Sequence, residues 1–323
     1  MSILSQIMTK NNRSKAMVAI VIAIILIALP GFVFSSHKDQ LYVDADASGT
    51  QDGSSDHPYQ TIKKAMNKAD GDTEIHIAKG SYKENVEMKD GVDIYGEDKD
   101  DVVIEADDGD EPVVKMADDT TINKVTLQKG SQGVRVSDEA KASIIECVIK
   151  NNDHDGISIE ADDVKKSRTV SISENEIKDN GGAGIYSGKR KLSIVDNEIT
   201  GNDKDGIDIE KGSSAWIADN KINHNDKSGM KLRIDGSNIW TKNNSIRSNN
   251  REGIEVSFGG VAGRINIEKS NIISNDNFGI AKVQRLSISG STSLWNSYLT
   301  FNGKANEITS NGKGAISPII IAN

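Results

Sequence analysis

Five charged residues occupy recurring positions from which they could bind or transform an acidic substrate. Asp208, Lys231 and Glu255 each lie two residues after a glycine of a repeated motif, and Glu210 and Arg233 lie two residues further on. A lysine or arginine can neutralise a substrate carboxylate, and a carboxylate or an unprotonated lysine can remove a proton. The alternative is a ladder of opposite charges on a solvated sheet, which stabilises each pair by a few tenths to about 1 kcal/mol.

The motif that places these residues is Asn-x-Ile-x-x-Asn-x-x-x-Gly, followed by a large apolar residue. Copies begin at Asn175, Asn197, Asn220 and Asn244, and copies with a substituted first residue begin at Cys147 and Ser270. Successive starts are 28, 22, 23, 24 and 26 residues apart, a period typical of one turn of a β-solenoid. Apolar residues alternate within each copy, which predicts three short strands per turn and turns about 4.8 Å apart. The sequence therefore predicts an all-β fold, a right-handed parallel β-helix.

The second asparagine of each copy is expected to join a ladder along the axis, because stacked side-chain amides hydrogen-bond to one another. This column contains Asn152, Asn180, Asn202, Asn225, Asn249 and Asn275. The tripeptide Asp153-His154-Asp155 follows the first of them and suggests an acid–base site. Asp203-Lys204-Asp205 stands at the equivalent place 50 residues later. The repeat therefore favours a solvated turn over a catalytic histidine.

The segment before the repeats, residues 41–97, resembles the opening of many pectate-lyase-like right-handed parallel β-helix proteins. The resemblance is carried by Tyr42-Val43, Asp52-Gly53-Ser54, Pro58-Tyr59, Thr61-Ile62, Ala65, Gly71-Asp72-Thr73, Gly80, Tyr82, Glu84 and Gly96. Together with the repeats it covers residues 41–323, and it implies a β-helix domain over that range. It leaves the activity open, because that superfamily includes lyases, hydrolases, epimerases and non-enzymes.

A short capping helix is expected near the start of this domain. Ile62, Ala65, Met66 and Ala69 form one apolar stripe at helical spacing. Such a helix can cover the first turn of the solenoid, whose unpaired edge groups would otherwise invite pairing.

For the charged face, the resemblance implies a uronate polysaccharide lyase or a C5-epimerase as an alternative to simple binding. In such an enzyme Arg233 and a bound Ca²⁺ would hold the substrate carboxylate, and Lys231 would be the base. Asp208 and Glu255 flank Lys231 and favour its charged ammonium, which opposes that role. Calcium bound by Asp208, Glu210 and Glu255 would partly remove the conflict.

A second column of carboxylates precedes the repeats and includes Glu174, Asp196 and Asp219. Like charges about 4.8 Å apart repel each other by on the order of 1 kcal/mol in water. Calcium, which prefers oxygen ligands, would relieve this repulsion. Plain exposure with screening by salt is the alternative. These three residues are the second predicted calcium site.

Substrate binding is expected at aromatic residues. Trp216 and Trp240 each lie four residues before a repeat start, so they should point outward on neighbouring turns. Only 4% of the chain is aromatic, so two adjacent exposed indoles suggest a platform for sugar rings, with Tyr186 as a further contact. The alternative is that an insertion such as residues 258–263 covers the indoles.

The N-terminal segment predicts a membrane anchor. Residues 1–15 contain Lys10, Arg13 and Lys15, which favour a cytoplasmic position. Residues 16–34 carry no charge and are long enough to cross a bilayer, although a cleaved signal is the alternative. Residues 35–40 form a linker. Both readings place the β-helix domain outside the cytoplasm, at the cell surface or in the periplasm.

Net charge argues against nucleic acid as a partner, because the chain carries −9 at pH 7 and a nucleic-acid binder needs a basic face. The single cysteine, Cys147, excludes an intramolecular disulfide and is expected to be a small buried residue. The leading prediction is a membrane-anchored extracytoplasmic β-helix protein that binds polysaccharide. The alternatives are the lyase or epimerase and a non-catalytic structural or adhesive surface protein.

Overall fold

The protein is a solenoid of three parallel β-sheets. The computed structural model describes residues 38–161, 168–284, 291–300 and 305–321. Within these residues each repeat contributes one strand to each sheet, and neighbouring strands run parallel. The predicted β-helix with three strands per turn is confirmed.

The three sheets are numbered in the order in which each turn visits them. Sheet 1 contains β1 (Asp39–Val43), β2 (Thr73–Ile77), β5 (Asp93–Gly96), β8 (Thr120–Asn123), β11 (Ala142–Ile145), β14 (Thr169–Ser173), β17 (Lys191–Val195), β20 (Ser214–Ala218), β23 (Asn238–Lys242), β26 (Arg264–Glu268) and β29 (Leu299–Thr300). Sheet 2 contains β3 (Gly80–Lys83), β6 (Val102–Glu105), β9 (Thr126–Gln128), β12 (Val148–Lys150), β15 (Glu176–Lys178), β18 (Glu198–Thr200), β21 (Lys221–Asn223), β24 (Ser245–Arg247), β27 (Asn271–Ile273) and β30 (Glu307–Thr309). Sheet 3 contains β4 (Val86–Glu87), β7 (Val114–Met116), β10 (Val134–Val136), β13 (Ile157–Ile159), β16 (Ile185–Ser187), β19 (Ile207–Ile209), β22 (Met230–Arg233), β25 (Ile254–Phe258), β28 (Phe278–Gln284) and β31 (Gly314–Ile321).

Columns of β-branched side chains fill the interior. The middle isoleucines of the repeat pair in register through sheet 2 and are fully buried; they are Ile149, Ile177, Ile199, Ile222, Ile246 and Ile272. Burial of one such side chain contributes about 1.5–3 kcal/mol. The lone Cys147 is also fully buried, and burial raises the pKa of its thiol to about 12. This agrees with its expected packing role.

Two asparagine ladders run along the solenoid. The predicted ladder is confirmed: each Nδ2 donates to the Oδ1 of the next turn at 2.9–3.0 Å, from Asn152 to Asn311. The first asparagine of the motif forms a second ladder that the sequence analysis did not assign. In it Asn175, Asn197 and Asn220 donate in the same way, ending at Asn244.

The repeat glycine is required by a close approach between turns. A Cβ atom at Gly206 would lie 2.5 Å from Ile222 Cγ2 and 2.7 Å from the carbonyl oxygen of Gly229. The bend that carries the ladder asparagine therefore packs directly on the next turn, and any larger residue would push the turns apart.

The predicted capping helix is α1 (Ile62–Lys68). Its stripe of Ile62, Ala65 and Met66 is buried, and it packs against β1, β2 and β4, which include the first strands of sheets 1 and 3. The carboxylate of Glu84 accepts hydrogen bonds from the backbone nitrogens of Ile62 and Lys63, both at 2.8 Å. A carboxylate at this position satisfies free amide groups of the first helical turn.

A second helix, α2 (Ser291–Tyr298), was not predicted. It is anchored by Trp295, which is buried and packs edge-on against Phe258 with ring centroids 5.7 Å apart. Phe258 is fully buried at the end of β25.

In the described part of the chain, no helix has the length and apolar character needed to cross a membrane. The predicted anchor, residues 16–34, lies outside the described residues. The first strand starts at Asp39, two residues before the expected domain boundary.

Candidate functional site

The charged face predicted from the repeat lies on the outward side of sheet 3. Tyr186, Asp208, Lys231 and Glu255 are in register on β16, β19, β22 and β25. Arg233 pairs with Ser257 on the same sheet. The expectation that these side chains share one face is thus confirmed.

An ion network joins four of the predicted site residues. Asp208 Oδ1 lies 3.0 Å from Arg233 Nη1, and Asp208 Oδ2 lies 3.1 Å from Lys231 Nζ. Arg233 Nη1 also lies 3.0 Å from Glu210 Oε1. Asp208 and Arg233 are both only 9% exposed. The carboxylates expected to meet a substrate or calcium are therefore engaged by cations of the protein itself.

Arg233 retains donors that the network does not use. All of its hydrogen bonds and ion pairs with described residues run through Nη1. Its Nε is buried and has no acceptor among the described residues. One edge of the guanidinium thus keeps the capacity to bind an additional oxygen.

Glu255 lies beside this network and has a different environment. Its Oε2 is 3.9 Å from Arg251 Nη2, and Arg251 Nε is 3.4 Å from Glu252 Oε2. Burial raises the pKa of Glu255, and the neighbouring carboxylates of Glu252 and Asp205 act in the same direction. Glu255 is therefore a carboxyl group suited to proton transfer closer to neutral pH than an ordinary glutamate.

Two further carboxyls, the half-buried Asp155 and the buried Asp205, were not recognised from the sequence. Asp155 and Asp205 directly precede repeat glycines, and each accepts a backbone hydrogen bond from the next turn, from Ala183 (2.8 Å) and Ser228 (2.9 Å). Burial raises the pKa of both side chains. Their position before the glycine was a usable signal, because the bend there folds back onto the neighbouring turn. His154, next to Asp155, is exposed in its turn, as expected from the repeat.

A cavity of about 580 Å³ opens beside the charged face. Tyr186 and Glu210 line it together with Lys189, Asp235 and Val261. Burial raises the pKa of the Tyr186 hydroxyl, with Glu210 and Asp208 contributing. Cavities of a few hundred cubic ångströms are typical of small-ligand sites.

The two tryptophans lie on a different sheet from Tyr186. Trp216 and Trp240 are in register on β20 and β23 of sheet 1, with 42% and 37% of their surfaces exposed. The expected outward position on neighbouring turns is confirmed, and residues 258–263 do not cover them. Lys242 Nζ lies 6.0 Å from the ring centroid of Trp216. The predicted substrate-binding residues therefore form two separate surfaces.

The acidic column lies at the bend between sheets 1 and 2. Glu174, Asp196 and Asp219 have left-handed backbone conformations, with φ of 60°, 58° and 60°, and they line a cavity of about 340 Å³ with Lys99 and Lys221. Among the residues that the structure describes, no group of three or more histidine, cysteine, aspartate or glutamate side chains is arranged to hold a metal ion. Calcium binding by these residues, or by Asp208, Glu210 and Glu255, stays a prediction from the sequence.

The fold defines the class of protein: the described residues form a right-handed parallel β-helix. The profile of the right handed beta helix region matches residues 163–293. The structure is similar to pectate lyase Pel9A, with a TM-score of 0.59 and 14% identity over 86% of this chain and 81% of the other. It is also similar to XylC in complex with xylose, with a TM-score of 0.57 and 12% identity over 76% and 67% of the two chains. At these identities the likeness shows the fold alone. No curated protein sequence matches the chain significantly.

Proposed function

We propose that the protein binds polysaccharide outside the cytoplasm and is held at the membrane by residues 16–34. The observation that carries the binding function is the pair of indoles at Trp216 and Trp240, exposed and in register on adjacent strands. Large exposed aromatic side chains are costly in water unless they serve an interaction. The C–H faces of sugar rings pack on such indoles, and the outward hydrogens of those rings carry partial positive charge that the negative ring face attracts.

The anchoring part of the proposal depends on sequence alone. Residues 16–34 are uncharged, and the basic residues precede them, which favours a cytoplasmic N-terminus. The β-helix begins at Asp39, a few residues after the apolar run.

Isothermal titration with the full-length chain in detergent tests the binding function. Soluble polysaccharides of neutral and acidic composition are the probes, and the Trp216→Ala/Trp240→Ala double variant should lose most of the binding. Ile321→Ala is the control, because Ile321 is an exposed apolar residue (53%) on sheet 3. Unchanged affinity in the double variant would show that the two indoles do not bind the glycan. No binding by the wild type would contradict the proposed binding function.

A second candidate function is catalysis on a uronate polysaccharide, as a lyase or C5-epimerase. The buried Asp205 and the half-buried Glu255 favour it, because burial raises the pKa of both carboxyls. They lie on the face that also carries Arg233, whose unused nitrogens could hold a substrate carboxylate. One of the two carboxylates would then remove the C5 proton.

This second function has its own assay. Release of unsaturated uronate from pectate and alginate reports a lyase, and uptake of solvent deuterium at C5 reports an epimerase. Both are run with Ca²⁺ and with a chelator. Activity that disappears in Glu255→Gln or Asp205→Asn supports this site. If no uronate is a substrate, the charged residues of this face only stabilise the sheet.

A further inference from the structure

One outward column of sheet 1 carries no charged side chain over eight consecutive strands. This uncharged column consists of Thr121, Ser143, Ser171, Ser193, Trp216, Trp240, Asn266 and Thr300. Charged residues make up 27% of the chain. The matching outward column of sheet 3 has six charged residues among nine: Glu87, Lys115, Arg135, Ser158, Tyr186, Asp208, Lys231, Glu255 and Ala281. The lack of charge is therefore a local property of this column of sheet 1.

The composition of the uncharged column matches a surface for hydroxyl-rich ligands. Apart from the two indoles it offers hydroxyl groups and one amide, which both donate and accept hydrogen bonds. The positions two residues further along four of these strands, those of Ser143, Ser171, Ser193 and Trp216, are also uncharged. They carry Ile145, Ser173, Val195 and Ala218. An apolar protein partner would favour a more hydrophobic face, and an anionic ligand would favour cations along its length.

Asn266 adds an independent observation at the end of the indole pair. It is in register with Trp240, it is only 6% exposed, and its Nδ2 has no acceptor among the described residues. An unpaired buried donor is costly. A sugar oxygen seated against Trp240 would supply the missing acceptor.

We infer that the uncharged column binds a neutral polysaccharide that lies parallel to the solenoid axis, an inference that rests on the proposed binding function. Strands repeat about every 4.8 Å along the axis. This spacing is close to the advance per sugar unit of an extended glycan, so successive units meet equivalent positions on successive turns. Trp216 and Trp240 pack against two ring faces, and Ser193 and Asn266 hydrogen-bond to hydroxyls on either side. The column spans about 34 Å, which is seven strand spacings.

Charged residues flank the column on several strands. Lys191 is exposed on the strand of Ser193. Lys242 and Arg264 lie on the strands of Trp240 and Asn266, and Glu268 is in register with Lys242. An acidic glycan would have to rely on such cations beside the column, and its binding would weaken with salt. A neutral glycan would bind with little dependence on salt. This difference separates the two ligand classes in one experiment.

The test is isothermal titration of the full-length chain in detergent with neutral xylan and glucomannan and with acidic polygalacturonate and alginate, at low and high salt. We expect the neutral glycans to bind at least about tenfold more tightly than the acidic ones, and with affinity unchanged by salt. Ser193→Asp should weaken binding of the neutral glycan about tenfold, because the glycan would bury the new charge without a partner.

Ser158→Asp is the matched control, since Ser158 is an equally half-buried outward serine on sheet 3. It should leave the affinity within about twofold. Thermal melts of both variants show whether the fold is kept, and Ser193→Ala serves as a milder variant if Ser193→Asp unfolds. Tighter binding of acidic glycans, or loss of binding in Ser158→Asp but not Ser193→Asp, would overturn the inference while the binding function stands. If no glycan binds, the proposed function itself is contradicted.

Discussion

Lys231 Nζ lies 3.1 Å from Asp208 Oδ2, across one pair of strands on the outward face of sheet 3. Asp205 Oδ2 lies 4.0 Å from the same ammonium. Two carboxylates of the protein itself thus engage the ammonium group of Lys231. If this face performs proton transfer, the buried Asp205 and the half-buried Glu255 are the candidates, because burial raises the pKa of both carboxyls.

The Asp208–Lys231 pair is expected to stabilise the fold more than the exposed Glu87–Lys115 pair. Both pairs are in register in sheet 3 at 3.1 Å, but the side chains are 13% and 23% exposed in the first pair and 76% and 47% in the second. Double-mutant cycles with Asn or Gln for the acid and Met for the lysine, followed by urea unfolding, should give coupling energies of about 1–3 and about 0–1 kcal/mol. Equal couplings would show that burial adds nothing to this network.

Glu255 is expected to destabilise the protein at neutral pH. Because burial raises its pKa in the folded state, the stabilising contribution is complete below the unfolded-state pKa and is lost as the pH rises through the folded-state pKa. Glu255→Gln should therefore raise the unfolding temperature at pH 7 and change it little near pH 3, which is below the unfolded pKa of about 4.3. Calorimetry at several pH values measures this, with the exposed Glu87→Gln as control. A variant that is less stable at pH 7 would mean that the contact with Arg251 dominates.

Asp235 is expected to fix the loop beside the 580 Å³ cavity. Its carboxylate accepts from Gly259 N, at 3.0 and 2.8 Å to the two oxygens, and from Val261 N at 2.8 Å. Hydrogen bonds to a charged group contribute about 1.5–3 kcal/mol each, so Asp235→Ala should speed amide exchange at Gly259 and Val261 by at least about tenfold. Asp226→Ala is the control, because among the described residues the Asp226 carboxylate accepts only from the exposed Asn250 side chain. Unchanged exchange at the loop would show that other contacts hold it.

The repeat period predicted the fold and much of the register. A residue's distance from its repeat glycine correctly placed Asp208, Lys231 and Glu255 in one column, because every turn has the same three strands. The same argument placed Trp216 and Trp240 side by side. Helix α2 was not predicted because it is held by long-range contacts of the buried Trp295 and the partly buried Tyr298 with Phe258, which no local sequence pattern indicates.

The chemistry of the site was harder to predict than its geometry. Sequence spacing shows that Asp208, Lys231 and Arg233 share a face, but it does not show that their side chains turn toward one another. Nor does it show burial: Asp155 and Asp205 look like solvated turn residues until the bend is seen to pack on the next turn. The sequence analysis grouped Tyr186 with the tryptophans, but Tyr186 lies on sheet 3 and the tryptophans lie on sheet 1. To separate them, each strand of the repeat has to be assigned to its sheet.

Membrane anchoring by residues 16–34 has a direct test. The full-length protein should stay with membranes after an alkaline carbonate wash, because about 20 apolar residues span a bilayer. Added protease should digest the β-helix domain from outside the cell or in the periplasm but not from the cytoplasmic side. A chain recovered in the soluble fraction with its N-terminus near Ser35 would establish a cleaved signal instead.

Asn202→Leu should destabilise the protein by roughly 1–3 kcal/mol, because it breaks the ladder at a fully buried position. Asn202 Nδ2 donates to Asn225 Oδ1 at 2.9 Å, and its Oδ1 accepts from the side chain of Asn180 at 2.9 Å, so leucine leaves polar groups on both neighbouring turns without partners. Urea unfolding measures the change. The control is Asn250→Leu, an exposed asparagine whose side chain bonds to no described residue except Asp226, and it should stay within about 0.5 kcal/mol of the wild type. If the two variants are equally stable, packing of the isoleucine columns, and not the amide ladder, sets the register between turns.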